Sequence, residues 1–262
     1  MSRLAVLIPV YRNQAGLTRT IESLRAAAGS FDVFVVDDGS PEPVITPPRL
    51  RADVPIYLLR RERNGGIAQA LNRGLDEILT SGYPYVARLD ASDTILPERF
   101  TQQIQFLEGH PTCAVVSSFV EFVDTEGKRV FLYRAPCEHG EIMQRMHLNN
   151  CLVHSGCMMR AEALTEVGLY REDLYVAEDY DLFLRMAKRY KLAVLPKVLT
   201  RCEYSRAGLS VAHRRRQQRE RLILQWLYFD RGSPRSFYGL ARTLVAMLVP
   251  HQLVFWWKRE LT

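Results

Sequence analysis

Val86-Ala-Arg-Leu-Asp90-Ala-Ser-Asp93-Thr-Ile-Leu-Pro97-Glu-Arg-Phe100 is the stretch from which the rest of the chain can be read. An apolar run, Tyr85 to Leu89, stops abruptly at two carboxylates, Asp90 and Asp93. Pro97 then opens a helix, with Glu98 in its first turn, where the helix dipole favours a negative charge. The two acids therefore stand where a buried strand leaves its sheet, and open α/β sheets bind ligands at the carboxyl ends of strands. Acids so close repel unless something positive joins them. A divalent cation carrying a diphosphate is the natural candidate, because hard cations take carboxylate and phosphate oxygens together. The plain alternative is that Asp90 and Asp93 are turn and cap residues.

Upstream, strands and helices alternate. Leu4 to Val10 reads as a strand buried on both faces, closed at Pro9 and followed by the loop Tyr11-Arg-Asn13. Leu17, Ile21, Leu24 and Ala28 have helical spacing. Phe31 to Val36 is a second strand ending in Asp37-Asp38-Gly39-Ser40. Pro41 to Pro55 lacks periodicity and reads as a loop, and Pro55 to Leu59 as a short strand. Asn64-Gly65-Gly66 starts a helix carrying Ile67, Leu71, Leu75 and Ile78 on one face, with Asn64 as its N-cap. This alternation predicts an α/β, doubly wound, mainly parallel sheet.

Beyond the helix from Pro97 to Glu108 the pattern changes. Asp124-Thr-Glu-Gly127 reads as the turn of a hairpin between Ala114–Val123 and Lys128–Tyr133, a small antiparallel part. Glu138 to Leu148 is expected to be helical, Cys151 to Met159 strand-like with His154 inside it, and Ala161 to Val167 helical. Glu178, Asp179 and Asp181 open a helix whose apolar face is Leu182, Phe183 and Met186, and Leu192 to Leu195 forms a last short strand.

The chain has 262 residues and a formal net charge of +6, and the positive excess gathers after Arg201, most densely in His213-Arg-Arg-Arg216. Five cysteines without a C-x-x-C pair read as reduced thiols of a cytosolic protein. Leu4 to Ile8 is too short for a secretory leader, and no apolar run reaches the ~18 residues of a membrane span. Neither G-x-x-x-x-G-K-[ST] nor G-x-G-x-x-G follows the first strand, so no P-loop or dinucleotide fold is supported. The three strand ends, Pro9-Val-Tyr11, Asp37-Asp38 and Asp90/Asp93, would line one crevice.

Five segments stand in order: Ile8-Pro-Val-Tyr-Arg12; Val35-Val-Asp-Asp-Gly-Ser40; Asn64-Gly-Gly-Ile-Ala68 with Asn72-Arg-Gly74; Ala87-Arg-Leu-Asp-Ala-Ser-Asp93 with Pro97-Glu-Arg99; and Ala177-Glu-Asp-Tyr-Asp-Leu-Phe-Leu-Arg185. Together they make the chain, over roughly Leu4 to Ser210, resemble a bacterial family 2 glycosyltransferase of the GT-A fold, of the kind that builds lipopolysaccharide or other surface polysaccharide. The resemblance implies a nucleotide-sugar donor, UDP- or dTDP-linked, a divalent Mg²⁺ or Mn²⁺ ion and an inverting displacement. It places Pro9 and Tyr11 at the base, Asp38 in hydrogen bonds to the base, Asn64 and Gly65 in the donor loop, and Asp90 at ribose and metal with Asp93. Asp179 becomes the general base, with Glu178 and His154 on the acceptor side. Two positions depart from the family pattern. Ser92 stands where a metal-binding acid is usual, and Ser205 where a histidine is usual.

The expected layout is a GT-A domain over residues 1–210, with a nucleotide-binding half (1–110) and an acceptor half (111–210), and a basic, amphipathic helical appendage over 211–262. Basic residues followed by Trp226, Trp256 and Trp257 suit an anionic membrane surface, which would put the protein on the cytoplasmic face of the inner membrane beside a lipid-linked, lipopolysaccharide or polysaccharide acceptor. The alternative for the tail is a helical subdomain packed on the core or on a dimer partner, with the arginines as its solvated face. No nucleic-acid-binding motif is present, so a nucleic-acid partner is not expected. Ser92 and Ser205 keep open a second function, a non-catalytic nucleotide-sugar-binding or scaffold protein of a glycan assembly complex.

Overall fold

A computed structural model describes residues 4–204 and 213–248. The elements run β1 (Leu4–Val10), α1 (Gln14–Leu24), β2 (Asp32–Asp37), β3 (Arg49–Arg51), β4 (Val54–Arg60), α2 (Ile67–Thr80), β5 (Tyr85–Arg88), β6 (Thr94–Ile95) and α3 (Arg99–Gly109). Then follow β7 (Cys113–Val123), β8 (Arg129–Tyr133), α4 (His139–Met146), β9 (Met158–Arg160), α5 (Ala161–Val167), α6 (Glu178–Ala187), β10 (Lys191–Glu203), α7 (Arg214–Leu227) and α8 (Pro234–Leu248).

One sheet has the order β3-β4-β2-β1-β5-β9-β7-β10-β6, with β8 paired to β7. The stretch β4-β2-β1-β5 is parallel, as the alternation of apolar runs and helices requires. β9 enters antiparallel between β5 and β7 and joins the two halves. All seven residues of β1 are buried, so helices must cover both faces of the sheet. Ile8, Leu17, Leu24 and Phe100 pack on one face, and Leu7, Leu71, Leu75 and Phe183 on the other. Gly74 lets α2 lie close to the sheet, since a Cβ there would stand 2.3 Å from Leu7 Cδ1. Register then fixes the site. Val10 pairs with Asp37, and Leu7 with Arg88, so three strand ends open along one edge.

Four elements depart from the sequence expectations. α3 begins at Arg99, with Pro97 outside it and Glu98 at its cap instead of in its first turn. The loop from Pro41 to Pro55 contains β3, held by buried Leu50 and by Arg51, whose guanidinium donates to Ala27 O at 2.7 Å. Three residues are too few to show a period. Cys151 to Met159 is a loop with a single 3₁₀ turn, His154–Gly156, and only its end joins the sheet. There Gln103 Nε2 donates to Gly156 O (2.8 Å) and Arg99 Nη2 to Cys157 O (3.2 Å), which gives these carbonyls side-chain partners. The short strand at Leu192 extends over thirteen residues as β10, with a register shift between Leu195 and Val198, where Pro196 supplies no N–H.

α7 and α8 dock at the C-terminal end of α4. Gln225 Nε2 donates to His147 O and Leu148 O, both at 3.1 Å, and Arg242 Nη2 to Leu148 O at 3.1 Å. Residues 213–248 hold eight arginines against Glu220 and Asp230, a formal +6 equal to that of the whole chain, so the remainder balances to zero. Among the described residues no helix is long and apolar enough to cross a membrane. Ser205, Trp256 and Trp257 lie outside the described residues.

Candidate active site

The ends of β1 and β2 are tied together by hydrogen bonds within the fold. Asp38 N continues the ladder to Val10 O at 2.9 Å, and Arg12 N donates to Ser40 Oγ at 2.9 Å. The Asp38 carboxylate is buried and accepts from Gly66 N (2.9 Å), Gly65 N (3.1 Å) and Asn64 Nδ2 (2.9 Å), with the Arg61 guanidinium as its counter-charge. Asp38 is thus a clamp that fixes the segment before α2. Asn64 is therefore not the N-cap of that helix. Gly66 occupies the cap, and the Asn64 side chain turns back to Asp38 because a carboxylate is the stronger acceptor. The crossing of the two loops requires glycine at position 39, where φ is +69° and a Cβ would stand 2.4 Å from Arg63 C. Pro9 lies in β1 opposite Val36, and Tyr11 projects beyond the strand end, 42% exposed, with Arg12 over its ring at 5.9 Å.

The segment after β5 separates the two acids. Asp90 has a side chain 43% exposed, and Arg88 Nη2 donates to its Oδ1 at 2.5 Å. Its backbone N–H donates to Ser155 Oγ at 2.9 Å. Asp93 is turned inward and buried, and its Oδ1 accepts from Glu203 N at 2.9 Å. Burial, then the neighbouring Asp90, pushes the Asp93 carboxyl up to about 6. Ser92 has φ +102°, and its Oγ accepts from Asn13 Nδ2 at 2.9 Å. The expected pairing of Asp90 with Asp93 toward a metal is thus not what the geometry presents. One carboxylate faces the crevice and the other braces β10. Among the described residues no three His, Cys, Asp or Glu side chains are grouped to hold an ion. The donor set that does exist, Asp90 alone, matches a Mg²⁺-type ion, which takes one or two carboxylates and completes its shell with substrate phosphates and water.

The third part is the acid pair at the start of α6, where the unpaired amides of a helix N-terminus favour carboxylates. Asp179 accepts from Asn150 Nδ2 (2.8 Å) and Tyr180 N (2.6 Å). Burial nevertheless raises its carboxyl to about 6, against those bonds and against the charge of Arg88. Glu178 is buried, its Oε2 has no hydrogen-bond partner, and burial with the Asp179 charge holds its proton affinity well above the usual range. Arg88 is 1% exposed, and its Nε and Nη1 have no hydrogen-bond partner. Its charge is felt by Asp90, Glu178 and Asp179 alike, so one guanidinium serves both Asp90 and the acid pair.

His154 has an internal partner, the Tyr170 hydroxyl, at 2.7 Å from Nε2, and packs edge-on to Phe183. Burial and the Arg88 charge lower its pKa well below the usual value, so it stays neutral. The structure therefore assembles Asp90, Glu178 and Asp179 around Arg88, and gives Asp38, Asp93 and His154 partners within the fold. Arg88, Asn150, Ser155 and Arg61 were not among the residues singled out in the sequence. Arg88 and Arg61 were visible as charges inside or beside predicted strands.

Comparison with known proteins gives this arrangement its context. The model of glycosyl transferase family 2 matches residues 5–168. The amylovoran biosynthesis glycosyltransferase AmsE of Erwinia amylovora is 31% identical, over 98% of both chains. The structure is similar to that of a S. aureus TarS fragment solved in complex with UDP-GlcNAc (TM-score 0.66, 17% identity, 92% of this chain and 71% of that one). It also resembles the mannosyltransferase PcManGT of Pyrobaculum calidifontis, solved with GDP-Man and Mn²⁺ (TM-score 0.64, 16% identity, 94% and 70%). The sheet is thus that of the GT-A glycosyltransferases. With its strand-end acids and the acid pair of α6 in one chain, this protein is a glycosyltransferase and belongs to glycosyl transferase family 2.

Proposed function

We propose that the chain is an inverting glycosyltransferase that moves a sugar from a UDP- or dTDP-linked donor to a hydroxyl of a lipid-linked, lipopolysaccharide or polysaccharide acceptor. The observation that carries this reading is Asp179: a carboxylate with its proton affinity raised to about 6 and oriented by Asn150, across Arg88 from Asp90. A base poised near neutral pH is what deprotonation of a sugar hydroxyl needs. Asp179 accepts the acceptor's hydroxyl proton as that oxygen bonds to the anomeric carbon. The bond from that carbon to the diphosphate oxygen breaks on the opposite face, and the nucleoside diphosphate leaves with the electron pair. Asn150 holds the carboxylate in position, and burial raises its basicity. Tyr11 offers an exposed ring for a base, and the loop held by Asp38 forms the wall beside it. A Mg²⁺ or Mn²⁺ ion, when bound, would be held by Asp90 and would supply positive charge for the diphosphate.

AmsE takes its name from amylovoran biosynthesis, and TarS was solved with UDP-GlcNAc, which favours a sugar-nucleotide donor and a glycan product here. The exposed Trp226, Phe237 and Tyr238 beside the arginines of α7 and α8 support a peripheral position on the inner membrane's cytoplasmic face. The test is calorimetry of the purified chain with UDP, dTDP and GDP, each with Mn²⁺, Mg²⁺ or EDTA, followed by Asp179→Asn. Transfer should vanish in the variant while nucleotide binding stays. Absence of binding to every nucleotide would sink the donor reading, and an equal loss of binding in Asp179→Asn would remove its role as base.

A further inference from the structure

The segment that leads into the acid pair is held by a residue of the appendage. Glu220, on α7, is 6% exposed. Its carboxylate accepts from Tyr175 N (3.0 and 3.1 Å to the two oxygens) and from Val176 N (2.9 Å). Arg216 Nε, one helical turn away, donates to its Oε1 at 2.8 Å. The Arg216 guanidinium also lies 4.5 Å from the centroid of the Tyr175 ring, and His213 meets that ring edge-on at 4.9 Å. The ring also borders the Gly65–Gly66 loop, since a Cβ at Gly66 would stand 3.4 Å from Tyr175 Cε2. Two residues on, Ala177 caps α6 without any side-chain hydrogen bond, and Glu178 and Asp179 follow. The end of α7 adds a second brace, with the Tyr228 hydroxyl donating to Asp181 Oδ1 at 3.2 Å.

We propose that Glu220 is a positioning residue for catalysis: through the amides of Tyr175 and Val176 it sets where Glu178 and Asp179 enter the crevice, and with Arg216 it seats Tyr175 against the Gly65–Gly66 donor loop. Charge-assisted bonds from a buried carboxylate to consecutive amides fix a backbone more firmly than neutral bonds do. The cap of α6 has no substitute of its own. The appendage is therefore a working part of the active site, a role that adds to the transferase reading and rests on it.

The parent chain, its Glu220→Ala and Glu220→Gln variants, and Arg216→Met should be compared for kcat, for nucleoside-diphosphate Kd and for backbone amide exchange at residues 175–176. Glu220→Ala should lower kcat by about ten-fold or more, the scale of a small misplacement of a reacting group, with Kd changed less than about three-fold. Glu220→Gln, which keeps an acceptor oxygen, should recover most of the loss. Exchange at the two amides should quicken in Glu220→Ala, a readout that needs no turnover and so separates this inference from the assignment of the reaction. A kcat within about two-fold of the parent, unchanged amide protection, or a matching loss of nucleotide affinity would each overturn it. Should Glu220→Ala fail to fold, Arg216→Met keeps the carboxylate and removes the ring contact. A fall in kcat at constant Kd supports the seating of Tyr175, and an unchanged kcat overturns it.

Discussion

Arg88 donates to Asp90 from a position closed to solvent, on the last residue of the central strand β5. The pair is asymmetric, since the guanidinium is fully buried and the carboxylate side chain is 43% exposed. Replacement by methionine, of similar length, leaves Asp90 able to recover water. Arg88→Met should therefore lower stability by only about 1–3 kcal/mol in urea unfolding. Activity should suffer more. Arg88 holds down the proton affinity of Glu178 and Asp179, so the acid limb of the kcat profile should move to higher pH. A limb that stays in place would show that the guanidinium serves Asp90 alone.

The acid pair gives the parent enzyme its own pH signature. As the proposed base, Asp179 acts only when ionised, and its carboxyl is raised to about 6. The rate should rise with pH through that region and level off above it. Asp90 is the neighbouring charge that raises Asp179, so Asp90→Asn should shift the limb to lower pH. Rate measurements from pH 5 to 8 with saturating donor check both statements.

Asp93 should show its burial as a stability effect. Its folded carboxyl, at about 6, binds a proton more tightly than the ordinary value of 3.8. A raised carboxyl favours the folded state below the unfolded pKa, and that contribution is lost as pH rises through the folded one. Asp93→Asn does not titrate there and keeps an oxygen for Glu203 N. Relative to the parent it should gain about 2 kcal/mol on going from pH 4 to pH 8, measured by denaturant unfolding at both pH values.

Metal response should follow Asp90 and not Asp93. Asp90→Asn should remove any enhancement of nucleotide binding by Mn²⁺ in calorimetry. Asp93→Asn, whose side chain faces β10, should retain it to within about two-fold. The reverse ranking would mean that the segment from Asp90 to Asp93 rearranges when the donor binds.

The parallel half of the sheet was legible because β1 and β2 are continuous apolar runs and α2 shows its period over fourteen residues. The hairpin of β7 and β8 and the acid-headed α6 were legible for similar local reasons, a turn motif and a helix start. Arg88 was not, because a charge inside a four-residue strand leaves no periodic trace and reads as part of the run. Asn150 lies 29 residues from Asp179, and Glu220 lies 45 from Tyr175, so both contacts exist only after folding. Asp38 and Asp93 were found as strand-end acids, but spacing alone does not say whether a carboxylate faces a ligand or a backbone amide. The 3₁₀ turn at His154 escaped detection because distant Arg99 and Gln103 decide it.

The charge layout has a mechanical consequence. A body balanced over most of its length and carrying its whole +6 on two helices turns in an electric field like a weathervane. At low salt it should meet any polyanion, a bilayer or a cation-exchange resin alike, with the same end leading. That bias fades as the Debye length shrinks toward about 3 Å near 1 M salt. A surface approached this way selects the protein's orientation before a single specific contact has formed.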